Sequence, residues 1–85
     1  MTMREFMDRF LDYKEKSGTI EPSTVQGYRG ESKLITRYLG AEKLASVAIG
    51  TVNDWMAAMT GDGYAPKTCA KAFRFFKQAL KWAVA

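Results

Sequence analysis

The chain has 85 residues, 47% of them hydrophobic, 13% aromatic and 26% charged, which suits one soluble globular domain and excludes a disordered tail. Its one cysteine, Cys69, excludes an internal disulfide, and the absence of histidine excludes a His/Cys metal site, so neither a structural metal nor a cofactor is expected. The net charge of +4 is concentrated: Tyr64 to Ala85 holds Lys67, Lys71, Arg74, Lys77 and Lys81 with no acid, while the preceding residues hold eight basic and nine acidic side chains.

No stretch approaches the roughly 20 apolar residues of a membrane span, and Met1 to Phe10 carries charges where a secretory signal would be apolar, so a cytoplasmic location is expected. Thr2 and Glu5 have capping-box spacing ahead of a first helix from Met3 to Lys16. Met3, Phe6, Met7, Phe10, Leu11 and Tyr13 mark its buried face, and Arg4, Asp8, Asp12 and Lys16 form an ion-pair ladder on another face. Ser17-Gly18-Thr19 breaks this helix. Glu21-Pro22 leads to a second, from Thr24 to Leu39, with Ser23 and Gln26 as its capping box and Gly40 as its stop.

Val25, Tyr28, Ile35 and Leu39, with Leu34 and Tyr38 beside them, form the second buried stripe, while Arg29, Lys33 and Arg37 recur every four residues on a different face. Gly27 and Gly30 each weaken the helix by about 1 kcal/mol relative to alanine, which points to close packing there. Ala41 to Ile49 reads as a connector with one irregular turn whose Leu44, Val47 and Ile49 plug the core. A short third helix from Val52 to Met59 buries Val52, Trp55, Met56 and Met59, and Thr60-Gly61-Asp62-Gly63 ends it. Pro66 suits the first turn of a fourth helix reaching Val84, with Cys69, Phe73, Phe76, Leu80 and Ala83 as its core face and Ala72 and Phe75 adjoining. The expected fold is all-α: one domain, 1–85, forming a compact four-helix bundle.

No nucleophile with a base, no carboxylate pair in a cleft and no phosphate-cradling glycine loop is visible, so no catalytic residue is assigned. Cys69 sits on an aromatic face and reads as a small buried hydrophobe. What remains is charge. Lys67 and Lys71 in the first turns of the fourth helix oppose the helix dipole, an arrangement a phosphate backbone would stabilise.

The order of these features resembles a known family. An amphipathic first helix, Ser23-Thr24 and Tyr28 in the second, a helix ending in Leu39-Gly40, Trp55 in the third, and Ala65-Pro66-Lys67-Thr68 opening a fourth that closes on Trp82-Ala83 are together similar to the core-binding, SAM-like domain of phage-integrase-type tyrosine recombinases. The resemblance spans nearly the whole chain. It implies a module of DNA integration and recombination that clamps one side of a duplex, with contacts from the second helix (Thr24, Arg29, Lys33, Arg37) and the fourth (Lys67, Thr68, Lys71, Arg74, Lys77, Lys81). It also implies that catalysis belongs to a separate domain of the same parent chain, so that Tyr13, Tyr28, Tyr38 and Tyr64 are not nucleophiles and this sequence is an excised fragment without enzyme activity of its own. The partners implied are double-stranded DNA, that catalytic domain and neighbouring protomers on DNA.

Two other readings compete. A helical protein-interaction module of the same fold would use Tyr64, Phe75 and Trp82 as its contact surface, with Trp82 the discriminating residue. A free-standing helix-turn-helix regulator is disfavoured because about six residues separate the third and fourth helices, where that motif uses three or four.

Overall fold

The computed structural model describes residues 1–18 and 21–84; Thr19 of the expected helix break and the terminal Ala85 lie outside the described residues. The described residues form four α-helices, α1 (Met3–Lys16), α2 (Pro22–Leu39), α3 (Ile49–Gly61) and α4 (Pro66–Val84), with a single 3-10 turn, Leu44–Ser46, between α2 and α3. The fold is an all-α four-helix bundle. α2 packs against α1 on one side and α4 on the other, α3 leans on α4, and α1 touches α4. No helix among the described residues is long and apolar enough to cross a membrane.

α1 begins as its capping box dictates. The Glu5 amide donates to Thr2 Oγ1 (3.3 Å), and the Thr2 amide donates back to the Glu5 carboxylate (3.1 Å). These bonds hold the Glu5 carboxyl below the ordinary carboxylate range. A backbone clasp secures the same end: Met3 N–H donates to the Glu42 carbonyl (2.8 Å), Arg4 N–H to that of Gly40 (3.2 Å) and Leu44 N–H to that of Met1 (3.0 Å). Gly40 is buried in this clasp, where an added Cβ would stand 2.8 Å from the Arg4 guanidinium. Of the expected ladder, the Asp12–Lys16 pair forms (2.9 Å).

α2 starts two residues earlier than its spacing predicts. Pro22 lacks an N–H and has φ already set for a helix, so it takes the first position after Glu21, and Ser23 falls inside the first turn without a capping role. α3 is longer than expected at both ends. Thr51 Oγ1 accepts from the Ala48 amide (3.2 Å) and moves the start to Ile49, while Thr60 Oγ1 donates to the Met56 carbonyl (3.0 Å) in a last turn that carries through Gly61. The chain then reverses at Gly63, whose φ of +95° a side-chain-bearing residue rarely adopts.

The core is built from Met3, Phe6, Met7 and Phe10 of α1, Ile35 and Leu39 of α2, Trp55 and Met59 of α3, and Cys69, Ala72, Phe75, Phe76 and Ala79 of α4. Four expectations need correction; the first is Tyr13 of α1, which is 49% exposed rather than buried, its ring lying over Trp82 at the edge of the core. On α4, Phe73 and Leu80 are half-buried and Ala83 is exposed, because the helix is clamped between α2 and α1 on one flank and α3 on the other, which turns Ala72, Phe75 and Ala79 inward. Ile49 is 81% exposed rather than a plug: it stands at the open edge of a recess between α3 and α4. Gly27 and Gly30 face open space, so no close helix packing accounts for them.

Candidate nucleic-acid interface

The basic stripe of α4 follows from the way that helix is buried. With Cys69, Ala72, Phe76 and Ala79 inward, residues at the complementary steps of three and four must point out, and Lys67, Lys71, Arg74, Lys77 and Lys81 are all exposed. Among the described residues the ion pairs are Asp12–Lys16 and Glu15–Arg29, so none of the five cations is held at contact distance by an acid. No acidic residue occupies the first turn of α4 either. Thr68 is half-buried beside Lys71. Lys77 stands at the edge of the stripe, its ammonium 5.8 Å from the centre of the Phe73 ring.

The α2 candidates divide. Arg29 is exposed but turned toward α1, where it bonds to Glu15 in a recess shared with Asp8 and Asp12. Arg37 donates through Nη1 to the Tyr64 hydroxyl (2.9 Å), tying the end of α2 to the α3–α4 link. Beside it the Tyr38 hydroxyl donates to the Asp62 carboxylate, and that bond pushes its pKa up to about 12. Lys33 and Thr24 are exposed. Gln26, Gly27, Gly30 and Glu31 of α2 line a shallow trough with Thr68 and Lys71 of α4, and Lys33 and Arg37 stand three and seven residues beyond Gly30, along the same line of α2.

Glu31 is the residue that sequence reasoning missed. It is half-buried near Tyr28 and Phe75, between α2 and the Lys71 and Arg74 side chains. Burial pushes its carboxyl above the ordinary range, and the nearby Lys71 and Arg74 pull it partly back. An acid with a raised native pKa destabilises the fold while it is ionised, above that pKa; the penalty fades as pH falls and the group takes up its proton. Glu31→Gln is accordingly expected to raise the melting temperature slightly at pH 7 and to lose that advantage near pH 4, as thermal unfolding at the two pH values will show. A melting temperature that falls at pH 7 would mean that attraction to Lys71 and Arg74 outweighs the burial cost.

The anchors expected for a protein-interaction surface are not free. Phe75 is 1% exposed and stacks on Tyr28, with ring centres 4.8 Å apart. Trp82 is half-buried against Phe6, Phe10 and Tyr13, at 5.9, 5.4 and 5.3 Å, and Tyr64 is half-buried and held by Arg37. The α3–α4 link also differs from expectation. Because α3 runs on to Gly61, only 62–65 separate the two helices, and loop length no longer argues against a helix-turn-helix. Comparison with known proteins assigns nothing to this geometry: no family model, curated protein or solved structure matches the chain.

Proposed function

We propose that this domain is a cytoplasmic duplex-DNA-binding module, the core-binding part of a tyrosine recombinase of the phage-integrase type, which grips phosphates with α4 while a separate catalytic domain of the parent chain exchanges strands. The observation that carries the reading is the outward stripe of α4, four cations at helical spacing (Lys67, Lys71, Arg74, Lys81) with no acid at contact distance among the described residues, on the side opposite the core. Lysine and arginine at about this spacing neutralise backbone phosphates and release condensed counterions, while base edges are left for shorter polar groups such as Thr68 and Gln26. Arg29 contributes less than its position in the sequence suggests, since Glu15 already holds it. A helix-turn-helix use of α3 and α4 puts the same stripe on DNA, so the interface does not depend on which of the two architectures applies.

The test is binding of a labelled duplex followed by fluorescence anisotropy across a salt series. If about four phosphates are neutralised, the logarithm of the binding constant should fall against the logarithm of salt concentration with a slope of roughly −3 to −4. The domain alone should neither cut nor rejoin supercoiled DNA nor become attached to it. A salt-independent affinity would remove DNA as the partner, and a covalent adduct would overturn the assignment of chemistry to a separate domain.

A further inference from the structure

The 3-10 turn, the first turns of α3 and the outer flank of α4 enclose an open apolar groove of about 440 Å³, lined by Leu44, Val47, Ile49, Val52, Phe73 and Leu80 and by no acidic side chain. An isolated exposed hydrophobic needs no explanation, but Ile49, 81% exposed at the lip, is continuous with five half-buried ones, and together they form a patch of the kind that marks a contact surface.

Two positive features border this groove. Lys77 lies between Phe73 and Leu80 on one line of α4; it is exposed, leans over the Phe73 ring, and has no ion-pair partner among the described residues. On the opposite bank α3 begins at Ile49 behind Ala48, which offers no side-chain oxygen, and its first turn holds no acid. The amino end of α3 thus presents unpaired N–H groups and the positive end of its dipole at the rim.

We propose that this groove docks an amphipathic helix of a partner protein whose apolar face carries carboxylates at its edge. The side chains of such a helix fill the space between Val52, Phe73 and Leu80, and a carboxylate meets Lys77 or the amino end of α3. A helix fits better than an extended segment, because away from the rim the groove is walled by apolar side chains and a helix satisfies its own N–H and C=O groups. Phe73 to Leu80 spans about 10 Å, the length of two helical turns and the spacing of i, i+4, i+7 anchors. The charge pattern selects the partner. A second copy meeting the first groove to groove would set two positive rims against each other and is disfavoured, and nucleic acid has no apolar face to fill the groove.

The test uses two synthetic amphipathic peptides about four turns long with leucines at i, i+4 and i+7, one flanked by glutamates and its twin by lysines, each titrated into the isotope-labelled domain. The expected result is amide shifts confined to residues around Ile49, Val52, Phe73 and Leu80 with the glutamate peptide, at an affinity about tenfold above that of its twin. Lys77→Glu should reverse the preference, and Ile49→Asp should abolish binding of both. Ile49 is exposed and an acid favours a helix start, so this variant keeps its fold, which circular dichroism will confirm. Equal binding of the two peptides, shifts outside the groove, or concentration-dependent dimerisation that Ile49→Asp removes would each overturn the proposal, the last by showing that a second copy covers the groove.

Discussion

Phe76→Ala is expected to cost on the order of 3–5 kcal/mol, enough to leave much of the domain unfolded at room temperature, since a chain of this size holds only about 5–10 kcal/mol in all. The Phe76 ring is 1% exposed and meets Trp55 edge-on at 5.3 Å, so its removal opens a cavity at the joint between α3 and α4 that flanking side chains cannot close. Phe75→Ala should fall in the same range, because its ring is equally buried between Tyr28 and Phe10. Phe73→Ala should cost less than about half as much, its ring being half-buried and open to the groove. Urea unfolding of the three variants checks the order. A Phe73 variant as unstable as the other two would put the core face of α4 back where periodicity alone places it.

The largest functional effect is expected from Lys71→Ala combined with Arg74→Ala. Removing two of about four phosphate contacts should weaken binding to every duplex and flatten the salt slope by about 2, without altering any preference among sequences. The folded state also feels the change through Glu31, which loses the cations that offset its burial and should lower the melting temperature modestly. Adding Glu31→Gln to the double variant should restore the melting temperature but not the DNA affinity, which separates a stability defect from a lost contact. Asp8→Ala, in the acidic recess of α1, serves as the control and should leave binding unchanged. Wild-type affinity and slope in the double variant would take the stripe off the DNA surface and shift weight to a protein partner.

Much of this architecture is legible from local chemistry. The capping box of Thr2 and Glu5 places the start of α1 to the residue, and Pro66 does the same for α4, because each turns on groups within one helical turn. The packing of α4 was less legible for a physical reason. A helix wedged between neighbours on two flanks buries a wide arc, and the centre of that arc is set by where backbones approach most closely, which favours Ala72 and Ala79 over the larger Phe73 and Leu80. Buried Ser32 was hidden likewise, though its steps of three and seven to Ile35 and Leu39 are in phase with them. Glu31 could not be found by pairing charges along the chain, since its cations come from another helix forty residues on. Arg29 shows the converse: it keeps step with Lys33 and Arg37, yet Glu15 claims it across the α1–α2 seam.

The clasp at the head of α1 bears on how the molecule breathes. In an ordinary helix the first amides face water, fray, and exchange their hydrogens within moments. Here the amides of Met3 and Arg4 are bonded to the carbonyls of Glu42 and Gly40, nearly forty residues along the chain, and Leu44 returns the tie to Met1. Their hydrogens can exchange only when the segment after α2 lifts away. That segment also carries Leu44, which packs against the core, so lifting it disturbs the bundle as a whole. The amino end of α1 should accordingly exchange on the slow timescale of the buried helices, while the first turn of α2, headed by Glu21 with no side-chain cap, exchanges as a loose end.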